Sequence, residues 1–151
     1  MEIYGNDCNL NWIDVSEMRE MDELFSINNC WKFNGDISRW DVSKVENMSM
    51  LFCGSNFNSN ISRWNVSRVK NMCDMFQNSK FTGNISSWNV SRVEDMNGMF
   101  KYSEFNGDIS GWDIRRVKDF DDMFTSSKFK RSLVSWLHKN LKFSYKTAGL
   151  W

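Results

Sequence analysis

The stretch FTGNISSWNVSRVEDMNGMFKYS, residues 81–103, decides the fold because the chain repeats it from near its start to its end. Its tryptophan recurs at a constant step of 24 residues (88 − 64 = 24), at Trp40, Trp64, Trp88, Trp112 and Trp136. A strict period of about 20–50 residues is typical of repeat architectures, in which each unit buries its apolar side against its neighbours. The sequence therefore predicts a solenoid.

Apolar spacing within the unit predicts its local structure. Residues 88–90 alternate apolar, polar, apolar, as a short strand does. Residues 93–100, VEDMNGMF, place their apolar side chains at helical or 3₁₀ spacing. Gly83 marks the turn that leads to the next strand. We therefore predict an α/β repeat solenoid, a stack of short parallel strands and short helices with about five coils plus caps.

The boundaries of the repeat define the domain organisation. Its spacing reaches back to Leu10, where the offset to Ile37 is 27 residues (37 − 10 = 27) because residues 26–32 contain a three-residue insertion around Trp31. We predict an N-terminal lid over residues 1–9 and a single solenoid domain over residues 10–131. Residues 132–151 are predicted to form a capping helix and tail, since end repeats of solenoids need a different outer face.

Composition bears on location and redox state. The chain has no apolar run of 18 residues, so no membrane span is predicted. The start, MEIYGNDCNL, has neither a basic n-region nor an apolar h-region, so we expect no signal peptide and a cytoplasmic location. The four cysteines are expected to be free thiols in a reducing cytosol, although an oxidising compartment would allow three pairings.

The longer phrase FNGDISRWDVSKVENMSMLF, residues 33–52, resembles the repeat of the BspA-like leucine-rich-repeat surface proteins, including the mycoplasma-type lipoprotein repeats. The resemblance covers about residues 10–136, and W-[DN]-V-S-x-V-x-x-M-x-x-M-F carries it in nearly every coil. It implies a right-handed leucine-rich-repeat-like solenoid. It also implies display on a cell surface, for adhesion or protein binding.

Positions that alternate outward form columns up the predicted stack, and they are the candidate protein-binding residues. They are Trp12, Arg39, Asp41, Lys44, Arg63, Asn65, Arg68, Asn89, Arg92, Asp113 and Arg116. We expect the site to be centred on residues 39–68, because arginine is enriched at interface hot spots. The alternative is a solvated face whose charges compensate one another. A neighbouring column of alternating sign favours it, at Arg19, Glu46, Lys70, Glu94 and Lys118.

Charge differs between the two ends of the chain although the net charge is zero. Residues 1–36 carry a net charge of −6 (two basic against eight acidic residues), and residues 128–151 carry +6 (six basic, no acidic). Such blocks usually keep a protein soluble, and they also favour head-to-tail self-association between the two ends.

Catalytic motifs are absent from the sequence. The one histidine, His138, has no nucleophile or carboxylate motif beside it, and no phosphate-binding loop or metal-ligand spacing occurs. We expect no enzyme, no cofactor and no bound metal. The first hypothesis is a cytosolic protein-binding module that inhibits or sequesters a host or enzyme target, using the outward columns and the insertion loop around Trp31, either of which is a candidate binding site. The alternative is a surface adhesion protein. A third is nucleic-acid binding through the C-terminal cap and the basic column, which we define as Lys44, Arg68, Arg92 and Arg116. The neutral net charge disfavours this function.

Overall fold

A computed structural model describes residues 6–132 as a stack of five coils. The coils begin at Leu10, Ile37, Ile61, Ile85 and Ile109, and we number them 1 to 5 in that order. Residues 1–5 and 133–151 lie outside the described range. The predicted capping helix therefore falls outside it almost entirely, as do Trp136, His138 and the first five residues of the predicted lid.

Each coil is a succession of β-turns closed by hydrogen bonds from a backbone N–H to the carbonyl three residues earlier. In coil 3 the first two turns join Trp64 to Ile61 at 3.1 Å and Val69 to Val66 at 3.0 Å. Three overlapping turns follow, over residues 72–75, 74–77 and 76–79. The same turns recur in coils 2, 4 and 5. The coil is therefore built from turns rather than from helices or strands.

Asparagine and aspartate side chains explain why these segments form turns. At the first three turns of coil 3, the Oδ1 atoms of Asn60, Asn65 and Asn71, each of which directly precedes its turn, accept the N–H two residues ahead at 3.0, 3.2 and 2.9 Å. An Asx turn of this kind offers the backbone a local partner that competes with a helix. The motif [DN]-[IVM]-S, which occurs up to three times per coil, is therefore a signature of capped turns.

The predicted α/β solenoid of strands and helices is wrong, because residues 6–132 contain no helix and only isolated parallel bridges. The leucine-rich-repeat architecture implied by the resemblance is wrong for the same reason. In the predicted helix at 93–100, the N–H groups of Met96, Gly98 and Phe100 donate to the next coil instead of to carbonyls four residues back. Gly98 also has a left-handed backbone, with φ of 57°. Successive turns produce the spacing that resembled a helix.

The predicted strand at 88–90 is also absent. The N–H of Trp88 closes a turn by donating to the carbonyl of Ile85 at 3.1 Å. The isolated bridges lie elsewhere, at Asn9–Asp36, Glu20–Asn47, Asn47–Asn71, Asn71–Asp95 and Asp95–Asp119. Alternation at 88–90 reflects a corner between two turns, where Trp88 and Val90 are buried and Asn89 is exposed.

Rows of hydrogen bonds hold neighbouring coils in register. Along the last turns of coil 3, the N–H groups of residues 72, 74, 76 and 78 donate to the carbonyls of residues 95, 97, 99 and 101 of coil 4, at 2.7–2.9 Å. Residues with positive φ occupy matching positions in successive coils, at Met50, Asp74, Gly98 and Asp122 and again at Gly54, Asn78, Tyr102 and Ser126. Each is the third residue of a turn, which is where type II turns place a left-handed residue.

The core is a pair of stacked phenylalanine columns beside a tryptophan column. Rings of Phe52, Phe76 and Phe100 stack on one another with centroids 5.6 and 5.7 Å apart. Each tryptophan from Trp40 to Trp112 is buried, and its indole N–H donates to a carbonyl of the preceding coil at 2.9–3.2 Å. The prediction that Trp88 is buried is confirmed, with 4% of its surface exposed.

Candidate protein-binding face

The outward columns lie at the corner of the coil where the turns at 61–64 and 66–69 meet, and at its equivalents. Trp12 is 69% exposed. Lys44 and Asp113 are partly buried, and the remaining candidates are exposed, at Arg39, Asp41, Arg63, Asn65, Arg68, Asn89, Arg92 and Arg116. These side chains follow one edge of the stack, and they differ in whether they form hydrogen bonds or ion pairs within the fold.

The column between the tryptophan and the valine is engaged in the fold. Asp41, Asn65, Asn89 and Asp113 each accept the N–H two residues ahead through Oδ1, at 3.0–3.2 Å. Hydrogen bonds from Ser43 lower the pKa of Asp41, and Lys44 lowers it further. These four residues cap turns, so they have a structural role whether or not they bind a partner.

Acidic side chains near Arg68, Arg92 and Arg116 are already bound to other cations. Glu46 lies between Lys70 at 2.7 Å and Arg19 at 3.1 Å, and the hydrogen bond from Lys70 is the largest cause of its lowered pKa. Three further pairs complete the set: Glu94 with Lys118 at 2.5 Å, Glu17 with Lys44 at 2.5 Å, and Asp113 with Arg115 at 2.7 Å. The alternating column therefore forms ion pairs between coils, as its signs predicted.

Three arginines of the basic column remain without an ion pair among residues 6–132: Arg68, Arg92 and Arg116. We call them the arginine row. They occupy the same position in coils 3, 4 and 5 and are all exposed. Because each lies one coil from the next, the row presents like charges side by side along the stack.

Two adjoining grooves accompany the arginine row. The first, of about 430 Å³, is lined by Arg68 and Arg92 together with Ser67, Ser91, Asn89, Glu46 and Lys70. The second, of about 450 Å³, is lined by Arg92 and Arg116 together with Ser91, Asp113 and Arg115. Arg92 and Ser91 line both, so the grooves meet at coil 4. The surface combines guanidinium groups with hydroxyl and amide groups.

The structure brings five of the predicted residues to these grooves: Arg68, Asn89, Arg92, Asp113 and Arg116. The other six line neither groove: Trp12, Arg39, Asp41, Lys44, Arg63 and Asn65. Sequence reasoning missed Ser67, Ser91 and Arg115. The two serines belong to the [DN]-V-S turn motif, so the recurrence of that motif is the sequence feature that could have predicted their position.

Other kinds of site are not found in the described range. Within residues 6–132, no cluster of three or more histidine, cysteine, aspartate or glutamate side chains has the geometry to hold a metal ion. Nor does this range include a helix long and apolar enough to cross a membrane. Burial raises the pKa of the Cys73 thiol to about 12, with Asp74 and Asp95 adding to the effect, which makes that thiol a poor nucleophile.

Comparison with known families identifies the repeat. The family described as "Mycoplasma protein of unknown function, DUF285" matches residues 5–82 and 55–147. The chain belongs to this family. Searches of the curated proteins and of the solved structures found no match. The DUF285 matches together span all five coils and both grooves, so the arginine row lies inside the family repeat.

Proposed function

We propose that the chain is a non-catalytic protein-binding module whose interface is the arginine row with its two grooves. The observation that carries the proposal is that three guanidinium groups lie in consecutive coils with no carboxylate bound to them within residues 6–132. Arginine supplies hydrogen bonds and stacking area in one side chain, and it is enriched at interface hot spots.

The fold gives no reason for these three arginines. Their side chains are exposed, whereas the core is filled by the phenylalanine and tryptophan columns. Neighbouring acids form their ion pairs with Lys70, Lys118 and Arg115 rather than with the row. The hydrogen bond from Lys118 lowers the pKa of Glu94, and Arg116 only adds to that lowering. Like charges side by side disfavour the stack. A partner that supplies negative groups relieves this repulsion on binding.

Affinity capture from the source cell tests the proposal. We expect the triple variant Arg68→Ser, Arg92→Ser, Arg116→Ser to fold normally and to bind its captured partner more weakly by more than about 2 kcal/mol. The matched control is Arg39→Ser with Arg63→Ser, which removes two exposed arginines outside the grooves. Capture that survives the triple change, or that fails equally in the control, contradicts the proposal.

Location separates two versions of this function. The first is a cytosolic module that inhibits or sequesters its target. The second is an adhesion protein on the cell surface, which is favoured by the resemblance of residues 33–52 to BspA-like surface repeats and by the association of DUF285 with BspA-like repeat proteins. Protease treatment of intact cells distinguishes them, because only a surface protein is digested before lysis.

Nucleic-acid binding is the function that this surface fits less well. Glu46 lines the first groove beside Arg68, and Glu94 is the corresponding residue of coil 4. Phosphate binding rests on an unopposed basic surface and weakens steeply with salt. A binding assay with an oligonucleotide at two salt concentrations tests this alternative directly. The predicted head-to-tail self-association uses basic residues that lie mostly beyond residue 132, and it stays a prediction.

A further inference from the structure

The spacing of the arginine row constrains the ligand that it binds, given the protein-binding function proposed above. Rings of equivalent phenylalanines in successive coils lie 5.6–5.8 Å apart in the column of Phe52, Phe76, Phe100 and Phe124, and 6.3–6.4 Å apart in the column of Phe57, Phe81 and Phe105. Arg68, Arg92 and Arg116 are equivalent residues of coils 3–5, so they recur once per coil at a step of this order. A ligand that meets all three therefore carries negative groups at a similar interval.

An extended polypeptide has such an interval. Side chains on one face of an extended chain recur every second residue, at about 6.6 Å. Arginine and glutamate side chains are long enough to absorb a difference of about 1 Å from the pitch of the coils. The planar guanidinium group also matches a carboxylate through two parallel hydrogen bonds. A ligand with acidic residues at alternate positions can therefore place one carboxylate opposite the arginine of each coil.

The remaining lining of the grooves suits a peptide backbone. Ser67, Ser91 and Asn89 supply hydroxyl and amide groups between the arginines. The Oδ1 of Asn89 accepts the N–H of Ser91, and its Nδ2 has two N–H groups to donate. We expect Nδ2 to donate to a ligand carbonyl, and the two serine hydroxyls to donate to a carbonyl or accept an N–H of the ligand backbone.

We propose that the arginine row binds an extended acidic segment of a partner protein that runs along the stack, with aspartate or glutamate at every second residue. Each of Arg68, Arg92 and Arg116 binds one carboxylate. Glu46, which also lines the first groove, remains paired with Lys70.

Two peptides test the register of the row. In one, glutamate and serine alternate; in its isomer of the same composition, the glutamates are consecutive. Titration calorimetry at low salt is expected to show the alternating peptide binding at least about fivefold more tightly. Arg92→Ser is expected to weaken that binding about tenfold, because Arg92 lines both grooves. Arg63→Ser, the control on coil 3, is expected to change it less than about twofold.

Other outcomes overturn the inference. Equal affinity for both peptides contradicts the claim that the row selects alternating carboxylates. An unchanged affinity in Arg92→Ser contradicts the claim that the peptide binds at the arginine row. Tighter binding of a single-stranded oligonucleotide, with the same dependence on Arg92, assigns the row to nucleic acid instead. Loss of the captured partner in the triple variant, without any peptide binding, overturns this inference and leaves the proposed function standing. Capture that survives the triple variant while the peptide still binds the parent overturns the proposed function alone.

Discussion

The indole nitrogen of Trp88 donates a hydrogen bond to the carbonyl oxygen of Ile61, 3.2 Å away and 27 residues earlier in the chain. Trp88 therefore does two things at once: its ring fills the core beside Phe76, and its N–H satisfies a buried backbone group of the coil below. The same bond recurs for Trp40, Trp64 and Trp112. It ties the side-chain core to the backbone of the preceding coil.

Replacing Trp88 separates these two contributions. Trp88→Ala is expected to lower the free energy of unfolding by about 3–5 kcal/mol, as large aromatic truncations in cores do. Trp88→Phe keeps much of the ring contact but removes one of the two donors to the carbonyl of Ile61, which still accepts the N–H of Trp64, so we expect a loss of about 0.5–1.5 kcal/mol. Urea titration measures both. A melting temperature within a degree or so of the parent in Trp88→Ala contradicts the burial.

Asn89 tests whether the exposed Asx column serves the fold. In Asn89→Ala the N–H of Ser91 loses its side-chain acceptor, and we expect a loss of about 1 kcal/mol, similar to that of a helix cap. Asn89→Asp is the matched control because it keeps Oδ1, and aspartate already occupies this position in coils 1, 2 and 5. Equal stability of the two variants argues that the turn does not need its cap.

Gly98 tests the left-handed positions. Its φ is 57°, and a Cβ atom there would lie within 2.1 Å of Oδ1 of Asp74, so Gly98→Ala combines backbone strain with a clash. We expect a loss of more than about 1–2 kcal/mol. Gly111→Ala is the control, since the nearest atom to its Cβ would be 3.9 Å away. Its effect is expected to stay within about 0.5 kcal/mol. Similar denaturation midpoints for both variants contradict the assignment.

Stability is expected to fall in acid because several carboxyl groups have lowered pKa values in the folded state. Hydrogen bonds from serines two residues ahead lower the pKa of Asp14, Asp36, Asp41 and Asp108, and bonds from lysines lower those of Glu46, Glu94 and Asp122. A carboxyl whose pKa is lower in the folded state contributes stability above its unfolded pKa, and this is lost as the pH falls through the folded value.

The melting temperature should therefore decrease from about pH 5 downward. Burial raises the pKa of Asp74, which contributes with the opposite sign and offsets part of the effect. Asp41→Asn is the useful variant, because an amide keeps the acceptor for Ser43 but does not titrate. Its melting temperature should depend less on pH than that of the parent. An identical pH profile in the two proteins rules out this cause.

Thiol reactivity tests the environment of Cys73. With its pKa raised to about 12, the thiol is almost entirely protonated near pH 8, so we expect slow reaction with a disulfide reagent in the folded protein. All four cysteines should react after denaturation without reductant. Recovery of two thiols or none after denaturation would indicate disulfides and an oxidising compartment. Fast native labelling of Cys73 contradicts its burial.

The repeat, its register and the buried residues were predictable because they depend on identity at fixed spacing. Trp88, Phe76 and their equivalents lie inward at every coil, and the alternating column around Glu46 pairs as its signs indicated. Secondary structure was not predictable from apolar spacing alone, because three successive turns place side chains three residues apart much as a helix does. The deciding signal was Asn or Asp before the first three turns of each of coils 2–5, together with glycine at Gly98.

The sequence was enough to predict which columns of side chains are exposed. It was not enough to predict which of these side chains are paired and which line a groove. Nothing in the sequence says that Glu46 binds Lys70 while Arg68 stays unpaired, since both pairings are available to neighbouring columns. That choice depends on side-chain reach across coils. It is the reason why we propose a site centred on Arg92, where the two grooves meet, rather than on residues 39–68.

The rows of hydrogen bonds between coils also bear on how the chain folds. Each bond of the row that starts at Met72 joins residues 23 positions apart (95 − 72 = 23), and the separation is the same in the rows that start at Met48 and Met96. The insertion at residues 26–32 lengthens the step between coils 1 and 2 to 26 residues (47 − 21 = 26). The entropy of closing a loop depends on its length, so each of coils 2–5 closes a loop of the same size when it joins a formed pair. Contact order therefore does not rise with the number of coils. Any adjacent pair of coils can nucleate, and folding then spreads along the stack at a rate set by one coil rather than by the whole chain.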